Sequence, residues 1–101
     1  MPIQEKYDLE FTPEFVEDYK KLTKKNNLLI KKFSKALKLL SENPLHNSLK
    51  SHKVDTINNE DVFSSWVTGD IRIIWLYNKE KKLVIVLLEA GSHSGSNKVY
   101  K

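Results

Sequence analysis

A chain of 101 residues without cysteine is long enough to bury one hydrophobic core and too short for two, and it excludes a disulfide framework, a thiolate metal site and a cysteine nucleophile. Its longest uninterrupted apolar run, 83–88, falls far short of the roughly 20 residues that cross a bilayer, and its first ten residues carry no signal-peptide pattern. The expectation is therefore one soluble, cytoplasmic domain over 1–101, with no membrane contact, and the formal charge of +4 suits an anionic partner, nucleic acid or acidic protein.

Residues 6–11 (KYDLEF) alternate polar and apolar side chains, as a short edge strand does. A helix start follows: Thr12 as N-cap, Pro13 in the first helical position, Glu14 at the positive end of the dipole and Phe11 placed to staple onto Val16. Phe15, Tyr19 and Leu22 give the first helix its buried stripe as far as about Lys25. After Asn26-Asn27, a second helix from about Leu28 to Leu40 repeats the pattern through Leu29, Phe33, Leu37 and Leu40, and Asn43-Pro44 ends it. So short a link predicts an antiparallel helical hairpin packed on one face of a sheet. The lysines of these helices lie largely off the apolar stripes, which fits either a solvated face or a surface that follows phosphates.

Residues 45–59 show no clear periodicity and read as a basic loop carrying His46, Lys50, His52 and Lys53. Three antiparallel strands come next, at Val62–Thr68, Ile71–Tyr77 and Leu83–Glu89, all rich in β-branched and aromatic residues. Alternation puts Ile71, Ile73, Trp75 and Tyr77 on one face of the middle strand and Arg72, Ile74 and Leu76 on the other. A turn-rich segment, 91–97, leads to Val99-Tyr100 as a last short pairing. The fold class is α+β, a helical hairpin on a twisted antiparallel sheet of about four strands.

Arg72 is the only arginine among seventeen basic residues and interrupts an apolar strand, where a guanidinium needs a partner or serves as a phosphate ligand. The three histidines have no zinc-motif spacing, and there is no Gly-rich phosphate loop or serine elbow, so no metal or cofactor is expected. The remaining polar set is Lys50, His52, Lys53, Asp70, Arg72, His93 and Tyr100. It suits metal-free RNA cleavage: one group takes the ribose 2′-hydroxyl proton, another protonates the leaving 5′-oxygen, and a fixed cation faces the phosphate. Each residue also has an ordinary structural reading. His46 reads as a loop residue, Asp70 as a turn residue, Tyr100 as a core cap, and Trp66 as either packing or a base-stacking surface.

Taken in order, FTPEFVEDYKKLTKK, KALKLLSENPLHNSLKSHKV, VTGDIRIIW and LLEAGSHSGSNKVY resemble successive parts of the RelE/ParE superfamily of bacterial type II toxins, and most of all its RelE-like and YafQ-like branch. The resemblance implies a ribosome-dependent endoribonuclease that cuts messenger RNA in the A site, with a cognate antitoxin as partner and a toxin–antitoxin heterotetramer as an assembly. It also implies catalytic roles for His52, Asp70, Arg72, His93 and Tyr100 and RNA contacts for Lys50, Lys53 and Trp66. Trp66, Phe63 and Ser65 depart from the family pattern, standing where relatives keep a histidine or lysines. The alternatives are a ParE-like DNA gyrase inhibitor and a catalytically idle relative that only binds its antitoxin.

Overall fold

A computed structural model describes residues 6–92. Among these the elements run β1 (Asp8–Phe11), α1 (Pro13–Thr23), α2 (Asn27–Glu42), a 3-10 turn (Asn47–Leu49), β2 (His52–Ile57), β3 (Glu60–Trp66), β4 (Ile71–Tyr77) and β5 (Val84–Ser92). The five strands form one sheet in the order β1-β5-β4-β3-β2.

The α1 start follows from its sequence. Thr12 Oγ1 accepts from the Phe15 N–H (3.1 Å) and donates to the Leu87 and Leu88 carbonyls (2.8 and 3.1 Å), with Pro13 in the first turn. One hydroxyl thus caps the helix and ties it to β5. Farther along α1, the Asp18 carboxylate accepts from the Ala90 N–H at 3.1 Å. Because β1 pairs with β5 only as far as Phe11↔Leu87, Thr12 and Asp18 satisfy the β5 backbone beyond the reach of β1. Asn26 then caps α2 by accepting from Leu29 N–H at 3.1 Å. Phe33 of α2 meets Phe15 and Tyr19 of α1 edge-on, at centroid distances of 6.4 and 5.0 Å, so the second helix returns beside the first.

The core joins Phe15, Leu29, Phe33, Ala36 and Leu40 of the helices and Leu49 to Ile73, Trp75, Ile85, Leu87 and Ala90 of the sheet. Tyr19, Leu22 and Leu37 of the expected stripes pack against it partly buried, and Ala36 takes the fully buried place that Leu37 was expected to hold. The expected division of β4 holds: Ile73 and Trp75 belong to this core, with Ile71 and Tyr77 packed against it. The other face is closed as well, since Val62 and Ile74 are 0 and 1% exposed.

Two expectations are corrected. The sheet has five strands and is mixed, because the KYDLEF segment joins β5 in parallel as β1. The segment read as a basic loop contains β2, paired antiparallel with β3. β2 is an edge strand with five of its six residues exposed and a register shift between Lys53 and Asp55, so it has no buried face to impose a period. Its hairpin turns on Asn58-Asn59, both at positive φ (51° and 66°), the backbone of a two-residue type I′ turn. In consequence β3 begins at Glu60, and β5 runs on to Ser92. The expected Val99-Tyr100 pairing lies outside the described residues.

Candidate functional site

Antiparallel pairing gathers the start of β2, the end of β3, the start of β4 and the end of β5 at one end of the sheet. Lys50, His52, Trp66, Asp70 and Arg72 all lie there. His52, Ser64, Ile74 and Glu89 form one cross-strand row, and Trp66, Arg72 and Gly91 form the next, so His52, Trp66 and Arg72 share the face turned away from the helices. Lys53 is placed differently: its partner is Phe63, which packs on the core side, and its ammonium ion-pairs with Asp61 at 3.3 Å. The sequence signal that it is basic and near His52 says nothing of which face it takes.

Arg72 is 5% exposed. Its Nη1 donates to the Thr68 and Gly69 carbonyls, both at 2.9 Å, and the guanidinium lies 4.2 Å from the centre of the Trp66 ring. The arginine therefore braces the β3–β4 turn and stacks on the indole. Burial pulls its pKa below the ordinary value and the Asp70 charge opposes that shift, but a guanidinium stays protonated regardless. Nε and Nη2 have no hydrogen-bond partner among the described residues, so part of the donor fork is uncommitted.

Lys50 has left-handed backbone (φ 48°) at the end of the 3-10 turn, and its Nζ lies 5.2 Å from the Trp66 ring centre. Trp66 thus has two cations on its π system. His52 is exposed, and its Nδ1 lies 3.1 Å from the Lys50 carbonyl. A carbonyl oxygen only accepts, so Nδ1 carries the proton and neutral His52 presents a basic Nε2 to solvent. His46 does the reverse: its Nδ1 accepts from the Ser48 N–H at 3.1 Å as the cap of the 3-10 turn, the structural role its loop position suggested.

At the β3–β4 turn, Thr68 Oγ1 accepts from the Asp70 and Ile71 N–H groups (3.1 and 2.9 Å), while both Asp70 carboxylate oxygens accept from Ser92 Oγ (2.9 and 3.0 Å). Ser92, which the sequence reading did not single out, thereby joins the end of β5 to this turn. The missed signal was β5 length: an end placed at Glu89 left Ser92 in a loop. His93 and Tyr100 lie outside the described residues. Burial and nearby Asp18 raise the Glu89 pKa above the ordinary carboxylate value.

Phe63 and Ser65, where the resemblance implies lysines, face the core. Phe63 stacks on Trp75 at a centroid distance of 4.8 Å. Ser65 is fully buried, accepts from the Trp75 Nε1–H at 2.7 Å and lies 2.6 Å from Ser51 Oγ, which donates to the Pro44 carbonyl at 2.6 Å. Since the Ser51 proton goes to Pro44, Ser65 is the donor to Ser51.

Two helices packed on a five-stranded sheet are the fold of RelE-like toxins. The archaeal RelE of the RelE-RelB complex from Pyrococcus horikoshii is 18% identical, with a TM-score of 0.69 over 89% of this chain and 98% of that one. YafQ of the E. coli DinJ-YafQ toxin–antitoxin complex is 21% identical, with a TM-score of 0.66 over 90% of this chain and 94% of that one. A metal-bound toxin from Helicobacter pylori is 25% identical, with a TM-score of 0.69 over 86% and 94%. No curated protein matches the chain by sequence. The family model for the YafQ bacterial toxin of type II toxin–antitoxin systems matches residues 7–96. The chain belongs to that family.

Proposed function

We propose that this toxin is a cytoplasmic, ribosome-dependent endoribonuclease that cleaves messenger RNA by acid–base chemistry without a metal. The observation that carries the reading is His52, whose Nδ1 is committed to the Lys50 carbonyl so that Nε2 is free to take a proton. It sits at the same sheet end as the Arg72 guanidinium. Histidine titrates where proton transfer from a 2′-hydroxyl is efficient, and a cation beside the phosphate stabilises the charge that builds there. Two strand spacings and two residues separate His52 from Arg72, roughly 12 Å between Cα atoms, a gap that a bound phosphodiester and its ribose fill. In this scheme His52 and His93 share the proton transfers. Arg72, with Lys50, holds the phosphate, Tyr100 keeps the catalytic role that the resemblance implies, and Asp70 anchors Ser92, the residue before His93.

The partner is a cognate antitoxin whose acidic segment neutralises the basic surface, in a heterotetramer of two toxins and two antitoxins. The fold relatives RelE and YafQ occur in complexes with RelB and DinJ. A second reading, an antitoxin-binding relative without catalysis, has one observation in its favour: Arg72 is 5% exposed and both protons of Nη1 are spent on its own turn.

Expression of the chain in cells, with mapping of messenger RNA 5′ ends beside DNA-damage markers, tests both. Codon-positioned cuts are expected. A DNA-damage response without cuts indicates a gyrase inhibitor, and neither signal indicates the idle relative. His52→Ala and His93→Ala should each relieve growth arrest with an unchanged circular dichroism spectrum; full toxicity in both folded variants sinks the assignment.

A further inference from the structure

The proton-transfer scheme gives Glu89 no role, yet the fold of β5 is bent around it. Leu87 and Ala90 both belong to the core, although residues three apart on a regular strand fall on opposite faces. A bulge resolves this: Ile74 pairs with Glu89 and Trp75 with Leu87, so Leu88 is the extra residue. Thr12 Oγ1, which donates to the Leu87 and Leu88 carbonyls, holds it in place. Counted from Leu87 without the bulge, Glu89 would enter the core. With it, Leu88 and Glu89 both turn to the face of Ile74 and Arg72, and re-aiming a side chain beside an active site is a recurrent use of bulges. Glu89 thus ends the cross-strand row of His52, Ser64 and Ile74, and it is the diagonal neighbour of Arg72, whose direct partner is Gly91. Such diagonal Cα atoms stand about 7–8 Å apart. Glu89 is half-buried, and among the described residues its carboxyl has neither an ion pair nor a hydrogen bond. Burial, and then the charge of Asp18 on α1, raise its pKa above the ordinary carboxylate value. Both favour the neutral form, the one with a proton to give, and a bound phosphate would push the same way.

We infer that Glu89 is the general acid of the cleavage step, handing its carboxyl proton to the departing 5′-oxygen while His52 takes the proton of the attacking 2′-hydroxyl. In-line displacement needs base and acid on opposite sides of phosphorus, and the row supplies this. His52 stands at one end on β2 and Glu89 at the other on β5, with Arg72 on β4 between them in strand order. Three strand spacings separate the two ends, roughly 14 Å between Cα atoms, a span that two side chains and one phosphodiester fill. The bond from the 2′-oxygen to phosphorus forms as the bond from phosphorus to the 5′-oxygen breaks. The products are a 2′,3′-cyclic phosphate and a 5′-hydroxyl, with His52 protonated and Glu89 ionised. Exchange with water returns one proton to Glu89 and takes one from His52. The histidines then serve the base half of the proton transfers. The inference rests on the reading that this toxin cleaves RNA.

The test is single-turnover cleavage of ribosome-bound messenger RNA by the purified full chain. Two messengers are compared that differ in one atom, oxygen or sulfur, at the 5′ leaving position of the cut mapped in cells. A thiolate departs without being protonated, so the sulfur messenger needs no acid. On the oxygen messenger Glu89→Gln should cut about 100-fold or more slowly than wild type. On the sulfur messenger the two should cut at nearly the same rate, which also shows the variant to be folded, whereas His52→Ala should stay slow on both. Glu89→Asp keeps the carboxyl on a shorter arm and should fall between wild type and Glu89→Gln on the oxygen messenger. Wild-type rates for Glu89→Gln on the oxygen messenger overturn the inference. So does an equal loss on both messengers in a variant with a native circular dichroism spectrum, since that marks a structural role. A folded Glu89→Asp variant no faster than Glu89→Gln overturns it too. In each of these cases the wild-type chain still cuts, and the endoribonuclease stands. A wild-type chain that cuts neither messenger overturns the endoribonuclease and the acid with it.

Discussion

The two ends of the sheet treat positive charge in opposite ways. At the end holding the β4–β5 turn, Lys81 pairs with Glu10 at 3.2 Å, Asn78 Nδ2 donates to the same carboxylate at 3.4 Å, and Asn78 Oδ1 caps the turn by accepting from the Glu80 and Lys81 N–H groups. At the end holding the β3–β4 turn, Arg72 and Lys50 meet an indole ring and backbone carbonyls instead of a close carboxylate. The nearby acid, Asp70, is bonded to Ser92. Carbonyls and π faces hold a cation in place without cancelling its charge, so the second end keeps a field that an incoming anion can use.

The largest effect should come from breaking that end. Arg72→Ala removes the guanidinium beside the proposed phosphate position, two hydrogen bonds to the turn and the stack on Trp66. Growth arrest should disappear, and denaturant unfolding should show a loss of about 1–2 kcal/mol, since the freed carbonyls sit where water can reach them. Arg72→Lys keeps the charge but loses the fork, and should restore stability less than a neutral surface substitution would. Wild-type toxicity in a folded Arg72→Ala variant would mean the unneutralised field is irrelevant to action.

An intermediate effect is expected from Ser65→Ala, which touches the core side of the same strand. It strands the Trp75 Nε1–H in a fully buried site, so about 1–3 kcal/mol should be lost, read from the shift of the urea midpoint. The smallest effect belongs to the neutralised end. Glu10→Ala breaks an ion pair whose partners are 64 and 42% exposed at the side chain, worth about 0–1 kcal/mol, with no change in growth arrest. A toxicity defect there would erase the distinction between the two ends.

Much of the fold was legible because its elements carry strong local signals. The Thr12-Pro13 helix start, the Phe33-centred second helix and the alternation of β4 are each dictated by capping or by one-sided burial. Edge positions were less legible. β2 has no buried face, and the parallel pairing of β1 depends on a contact more than 70 residues away in sequence, as in Asp8↔Val84. For the site, residue type alone singled out Arg72 and His93, of which the second lies outside the described residues, while His52 entered through its basic neighbours and the resemblance. Which face Lys53 takes, how far β5 extends toward Ser92, and that Phe63 and Ser65 belong to the core all depend on register, which no single residue announces. Phe63 and Ser65 therefore fall on the side of the strand away from Arg72.

The hydrogen bonds through Ser65 have a direction, from Trp75 through Ser65 and Ser51 to the Pro44 carbonyl. Ser51 is the residue between Lys50 and His52. The most deeply buried indole therefore acts as a datum for the loop that carries the proposed base. Small shifts in core packing would be transmitted as misalignment of His52, and a core variant could silence the toxin while remaining fully folded.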